Sequence, residues 1–245
     1  MWRRWILPVA LAISVCANVL LLRGLDSAFG SLQFVRVFPL GYAADDRASR
    51  AGTAAPWIAF WGDSRALGWA KSAAIPSSDT LNAAHGGQTS SQLLLQLRTV
   101  PTPRAAVAVV QIGINDLHPL GALAPHRELV LKRLRDNLVD IRDLLRARAD
   151  TVVLTTVIPP AAVPLARRHA WDPQTEQILL AVNEQIRQLS DGHHVLVLDA
   201  HSLLVGPEGK IQKRFEDPDF FLHVNAEAYR VLNEKLLALV PRRRS

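Results

Sequence analysis

From Trp57 onward the chain alternates short, continuously apolar runs with longer amphipathic segments, and this alternation restricts the fold more than any single motif. The runs Trp57–Trp61, Thr80–Ala83, Ala105–Ile112, Thr151–Val157 and His194–Asp199 read as strands. Val107-Ala108-Val109-Val110 shows no polar alternation, so both faces of such a strand must be covered, as in a parallel sheet lying between helices. The stretches Ser64–Lys71, Thr89–Leu97, Pro125–Arg148, Pro173–Leu189 and Ala226–Val240 read as helices. In the longest of them Leu134, Leu138, Ile141 and Leu145 share one face, while Arg133, Arg135 and Arg142 fall largely elsewhere. Right-handed crossovers then predict an α/β fold, a three-layer α/β/α sandwich around a five-stranded parallel sheet. Working residues in such sheets gather at the carboxyl ends of the strands.

Ahead of this domain, Ile6 to Leu22 is an uncharged apolar run preceded by Arg3 and Arg4. As a helix it is about 26 Å long at ~1.5 Å per residue, close to the ~30 Å hydrocarbon core of a bilayer. Pro8 falls in its first turn, where a missing N–H costs little. Trp2 and Trp5 suit the interface, and the early arginines favour a cytoplasmic N-terminus. Two other readings compete: a secretory signal cut near Val15-Cys16-Ala17, and a lipoprotein modified at Cys16. An uncleaved anchor is expected, because the run continues through Val19-Leu20-Leu21-Leu22, and Val15 is bulky for lipoprotein processing. All three readings export the domain. The expected organisation is an anchor over 1–25, a juxtamembrane connector over 26–56 and the folded domain over 57–245. The expected location is the inner membrane, single-pass, with the domain on the extracytoplasmic side.

Of the 245 residues 49% are hydrophobic and 20% charged, which suits a globular core rather than a disordered chain. The net charge of +6 raises the question of a nucleic-acid partner. The basic residues are spread along the chain, however, and the one dense cluster, Arg242-Arg243-Arg244, is a terminal tail without a nucleic-acid motif. A solvated basic surface is expected instead. The single cysteine, Cys16, excludes an intrachain disulfide.

The strand ends carry the chemistry. Gly62-Asp63-Ser64-Arg65 follows the first strand, His85-Gly86-Gly87-Gln88-Thr89 the second and Gly113-Ile114-Asn115-Asp116 the third. Asp219 to Asn225, containing His223, precedes the final helix. Each piece alone is an ordinary turn or helix cap. Their joint occurrence in this order is far more specific.

The constellation resembles the SGNH/GDSL hydrolase family over Trp57 to about Val240. "FWGDSRALGW" looks like its first block, "NAAHGGQTSSQLL" its second, "VVQIGINDL" its third and "FLHVNAEAYRVLNEKL" its last. The resemblance implies a flavodoxin-like hydrolase domain with Ser64 as nucleophile and His223 as base. It also implies oxyanion donors from the Ser64 and Gly87 backbone N–H groups and the Asn115 amide. These roles suit the residue types. A serine hydroxyl needs a base during attack, neutral imidazole serves near pH 7, and a developing oxyanion needs preorganised donors.

The acid is where the sequence departs from the family. Aspartate usually stands three residues before the histidine, and that position is Phe220; Asp219 lies one residue further back and Asp217 two more. A one-residue bulge would bring Asp219 to the imidazole, so Asp219 is the expected third member, with Asp217 or a Ser–His dyad as alternatives. Asp63 and Asp116 are expected to brace turns, Asp199 to be structural, and Arg65 to lie at the surface or, less simply, to meet an anionic substrate. Ala228 replaces the usual glycine before Tyr229, without expected consequence. Among the other histidines, His126, His169 and His201 fall in surface-like contexts.

The expected activity is hydrolysis of a carboxylic ester, of O-acetylated saccharide or lipid type, through an acyl-serine. No cofactor is expected, since metal-ligand spacing is absent. The expected partners are the ester substrate and, through the N-terminal helix, a membrane. Acyl transfer to a cell-envelope polysaccharide uses the same residues, and a fold that keeps binding but has lost catalysis is the third alternative.

Overall fold

The computed structural model describes residues 3–37, 39, 56–72, 79–101 and 103–240. The chain forms two compact units, residues 1–43 and 44–245, each taken separately below.

The first unit holds one helix, α1 (Arg3–Val37). Within it Trp5–Leu32 has a mean hydropathy of 2.3, and its large apolar side chains are exposed along its length. At ~1.5 Å per residue these 28 residues reach about 42 Å, more than the ~30 Å that a span requires. The helix continues well past residue 25, so the first part of the expected connector is helical. The remainder of that connector, 38 and 40–55, and the basic tail 241–245 lie outside the described residues.

In the second unit the strands are β1 (Ile58–Gly62), β2 (Thr80–Asn82), β3 (Ala105–Gln111), β4 (Ala149–Thr155) and β5 (Val195–Leu198). They form one sheet in the order β2-β1-β3-β4-β5, and every pairing is parallel. The helices are α2 (Ser64–Ser72), α3 (Ser90–Thr99), α4 (Ile114–Leu117), α5 (Arg127–Arg146), α6 (Thr175–Gln188), α7 (Ala200–Leu204) and α8 (Ala226–Leu239). The expected three-layer sandwich is therefore present. Its two cores follow strand pleating: Ala59, Trp61, Ala108 and Val110 point to one face, Ile58, Phe60, Val107 and Val109 to the other. Leu134, Leu138, Ile141 and Leu145 of α5 cover the first face together with α3 and α6. Trp69 of α2, Leu204 of α7 and Leu232 and Leu236 of α8 cover the second.

Two differences from the sequence reading have local causes. The fourth strand runs from Ala149 to Thr155, two residues earlier than expected, because Ala105 pairs with Ala149 at the sheet's start. The short helices α4 and α7 are single turns that a 3.6-residue period cannot register. Asp199 caps α7 through Ser202 N–H and holds Arg187 at 3.0 Å, which is the structural role expected of it.

Candidate active site

β1 ends in a backbone that only glycine accommodates easily. Gly62 has φ +126°, and a Cβ there would lie 1.9 Å from the Gln111 carbonyl oxygen. That oxygen also accepts the Asp63 N–H at 3.0 Å, while the Gly62 carbonyl accepts the His85 N–H at 2.8 Å. The chain thus turns sharply off the sheet between β2 and β3, and Ser64 becomes the first residue of α2. Its half-buried hydroxyl stands at the positive end of a helix dipole.

The imidazole arrives from the far end of the sequence. His223 lies just ahead of α8, whose N-cap is Asn225: its side chain accepts the Ala228 N–H at 3.1 Å. The His223 Nε2 and Ser64 Oγ are 3.1 Å apart. Burial holds the imidazole below its ordinary pKa; the Asp217 charge opposes this and the Arg65 charge adds to it. A half-buried imidazole held neutral is in the state that accepts a proton.

The second and third blocks are bound to each other. Asn115 Nδ2 donates to the Gln88 carbonyl at 3.0 Å. The Asp116 carboxylate accepts from both the Ser90 N–H and the Ser90 hydroxyl. Gly87, at φ +73°, leaves its backbone exposed beside Gln88. Burial pushes the Asp116 carboxyl up to about 6 against the pull of Ser90. Asp63, fully buried, accepts the Arg65 N–H at 2.9 Å; burial pushes it up to about 6, opposed chiefly by the Arg65 charge. Both aspartates brace turns.

Asp219 is exposed, and its own N–H donates to the Asp217 carboxylate at 2.8 Å, as does that of Phe220 at 3.1 Å. Among the described residues no hydrogen bond joins the Asp219 carboxylate to His223. Phe220, at the family's aspartate position, packs its ring on the imidazole with centroids 4.7 Å apart. The nearby negative charge that acts on His223 is that of Asp217.

Arg65 overturns the surface reading. It is 1% exposed, and its guanidinium is directed to backbone carbonyls: Nε to Leu222 and Nη1 to Ile158, each at 2.5 Å, and Nη2 to Pro159 at 3.4 Å. Burial pulls its pKa down to about 10, with Asp63 opposing. The Tyr229 hydroxyl donates to the Arg65 carbonyl at 3.1 Å, passing over Gly68, so α2 and α8 are joined beside the site. One signal for this was available: Arg65 shares a helix face with the buried Trp69, four residues on.

The remaining expectations divide. His201 is buried rather than at the surface, and His126 is exposed. Trp171 is half-buried and meets Phe221 edge to face at 5.8 Å, so it packs at the rim. The loop 158–171, which follows β4, is tied to the His223 segment by the Ala161 N–H on the Phe221 carbonyl, 2.8 Å.

Residues 48–231 match the family model described as GDSL-like Lipase/Acylhydrolase family. No curated protein matches the chain. Among solved structures, a GDSL-like lipase from Bacteroides thetaiotaomicron is 20% identical with a TM-score of 0.60, over 80% of this chain and 95% of that one. Axe2, an acetylxylan esterase from Geobacillus stearothermophilus, is 15% identical with a TM-score of 0.53, over 74% and 92%. The OSK domain of Drosophila Oskar is 16% identical with a TM-score of 0.53, over 76% and 88%. At these identities the likeness is one of fold.

Proposed function

Since the chain belongs to the GDSL-like lipase/acylhydrolase family, we propose that it is a membrane-anchored serine esterase with Ser64 as nucleophile and His223 as base. The observation that carries this reading is the 3.1 Å approach of Ser64 Oγ to His223 Nε2. His223 takes the hydroxyl proton as Ser64 attacks the ester carbonyl, and returns it to the departing alcohol. The acyl-serine is then cleaved by water, with His223 again accepting a proton. The oxyanion of each tetrahedral intermediate is held by the Ser64 and Gly87 N–H groups and the Asn115 amide. Removing one such donor typically costs ~10²–10³ in turnover, the loss expected of Asn115→Ala.

The serine and histidine work as a pair, with Asp217 supplying the nearby negative charge and Asp219 facing solvent. Backbone and packing then take over the orienting task that a third acid performs in a triad. O-acetylated saccharides and lipid esters both suit an exported site of this kind. The fold shared with an acetylxylan esterase supports the first.

The anchor reading rests on the length and apolar surface of Trp5–Leu32. The domain then works on the extracytoplasmic side of the inner membrane, as the arginines at the N-terminus favour. Deleting residues 1–37 is expected to release the protein from sedimented membranes. For the chemistry, the detergent-solubilised full chain is expected to hydrolyse p-nitrophenyl acetate and to be labelled by a fluorophosphonate. Ser64→Ala is expected to lose both. Wild-type protein that does neither would remove the esterase reading.

A further inference from the structure

The rim of the site carries a cation that the reaction above does not use. Arg167 is exposed and lies on the Leu165–Ala170 turn. Its guanidinium carbon is 5.7 Å from the Phe220 ring centroid and 5.8 Å from that of Phe221. Phe220 in turn packs on the His223 ring, 4.7 Å between centroids. One aromatic ring therefore separates this cation from the imidazole. Its charge also reaches His118, the residue that ends the α4 turn bearing Asn115, and depresses that imidazole's pKa after burial has done so. Arg167 is thus placed by the rings of the His223 segment, and its charge is felt at the Asn115 segment. No carboxylate pairs with it among the described residues, unlike Arg98, Arg104, Arg127, Arg187 and Arg230.

A guanidinium stacked on aromatic rings keeps its in-plane N–H donors for a partner at the edge, and that fork matches a carboxylate or phosphate. Phe220 and Phe221, themselves packed on each other and on Trp171, restrain the cation and lower the entropy lost on binding. Arg65, the other arginine near the serine, is turned inward and spent on carbonyls, so it offers no donor to a ligand.

We propose that Arg167 forms an anion subsite at the mouth of the cleft, and that the preferred substrate is an ester bearing a carboxylate or phosphate close to the scissile bond. This rests on the esterase reading above. The subsite makes net charge, rather than chain length alone, a determinant of kcat/KM.

Three chromogenic esters test it with the full-length protein in detergent: neutral p-nitrophenyl acetate, p-nitrophenyl hemisuccinate with the charge on the acyl side, and a carboxy-substituted nitrophenyl acetate with the charge on the alcohol side. Wild type is expected to favour one charged ester, which identifies the side that faces Arg167. Arg167→Gln should lower the charged-to-neutral ratio of kcat/KM about two- to fivefold, as expected for one exposed charge pair. Arg167→Lys should keep most of the ratio, Arg167→Glu should invert it, and added salt should erode it in wild type. Arg98→Gln, at a distant ion pair, is the control. If Arg167→Gln lowers all three esters in parallel, the residue only supports the loop and the subsite is refuted. If wild type turns over the neutral ester through Ser64 but shows no preference for charge, the subsite alone fails. If no ester is cleaved and Ser64 is not labelled, the esterase reading fails and the subsite falls with it.

Discussion

Arg65 Nε donates to the carbonyl of Leu222, so the residue after Ser64 grips the residue before His223. The same guanidinium holds Ile158 and Pro159, and three chain segments meet on one planar group. Replacing it by methionine keeps the volume roughly but leaves buried carbonyls without donors, at about 1–3 kcal/mol each. Arg65→Met is expected to lose about 3 kcal/mol in urea unfolding and about 10²-fold in kcat, with KM little changed. Arg65→Lys should recover only part of this, because an ammonium lacks the fork. A positioning role predicts one further sign. The Arg65 charge depresses His223, so either the uncharged Met variant shows its acid limb of kcat/KM at higher pH, or the charge does not act there.

In wild type that acid limb should lie below pH 6.5. Burial lowers the His223 pKa in the folded protein, so the imidazole stays neutral, and active, further into acid than a free one. Asp217 opposes the shift. Asp217→Asn keeps a side-chain oxygen for the Asp219 and Phe220 N–H groups while removing the charge, and should move the limb lower still. A kcat/KM profile on a neutral ester measures both.

Asp219→Asn separates the pair from a triad. A carboxylate that orients the catalytic imidazole costs about 10⁴ in kcat when made an amide. From its exposed position Asp219 should cost less than about tenfold. A loss of thousands in steady-state turnover would place it behind His223 after all.

Phe220→Asp tests the position from the other direction. A carboxylate within about 4–6 Å of an imidazole raises its pKa by ~1 unit or more, and the Phe220 ring centre lies 4.7 Å from that of His223. The acid limb should therefore rise by about one pH unit. An unmoved limb would mean that the new carboxylate turns to solvent.

Gly62→Ala should be the most damaging small change in the chain. Its Cβ would enter the Gln111 carbonyl at a φ of +126°, and neither backbone can yield without unpairing β1 from β3. We expect a loss above about 3 kcal/mol, read as a fall in Tm or as failure to accumulate.

The comparison of sequence and structure separates two kinds of information. Val107 to Val110 and Leu134 to Leu145 announced the sheet and its cover, because periodicity is a local property. Ser64 was legible in a block at a strand end and His223 in the block before the final helix, and the structure brings the two within 3.1 Å. Arg65 was misread because its acceptors lie 93, 94 and 157 residues away, and burial of a charge depends on such distant partners. The surroundings of the expected acid were illegible for a related reason. Asp217 folds its carboxylate back on the N–H groups of Asp219 and Phe220, an Asx-type turn that competes with any reach toward His223.

Ser64 and His223 lie 159 positions apart in the chain. Synthesis delivers the Ser64 hydroxyl early and the His223 imidazole much later, just ahead of α8. A nascent chain complete through α6 therefore carries an inert hydroxyl. On the reading proposed above, the Ser64–His223 pair is completed in a single late step, when the His223 segment docks.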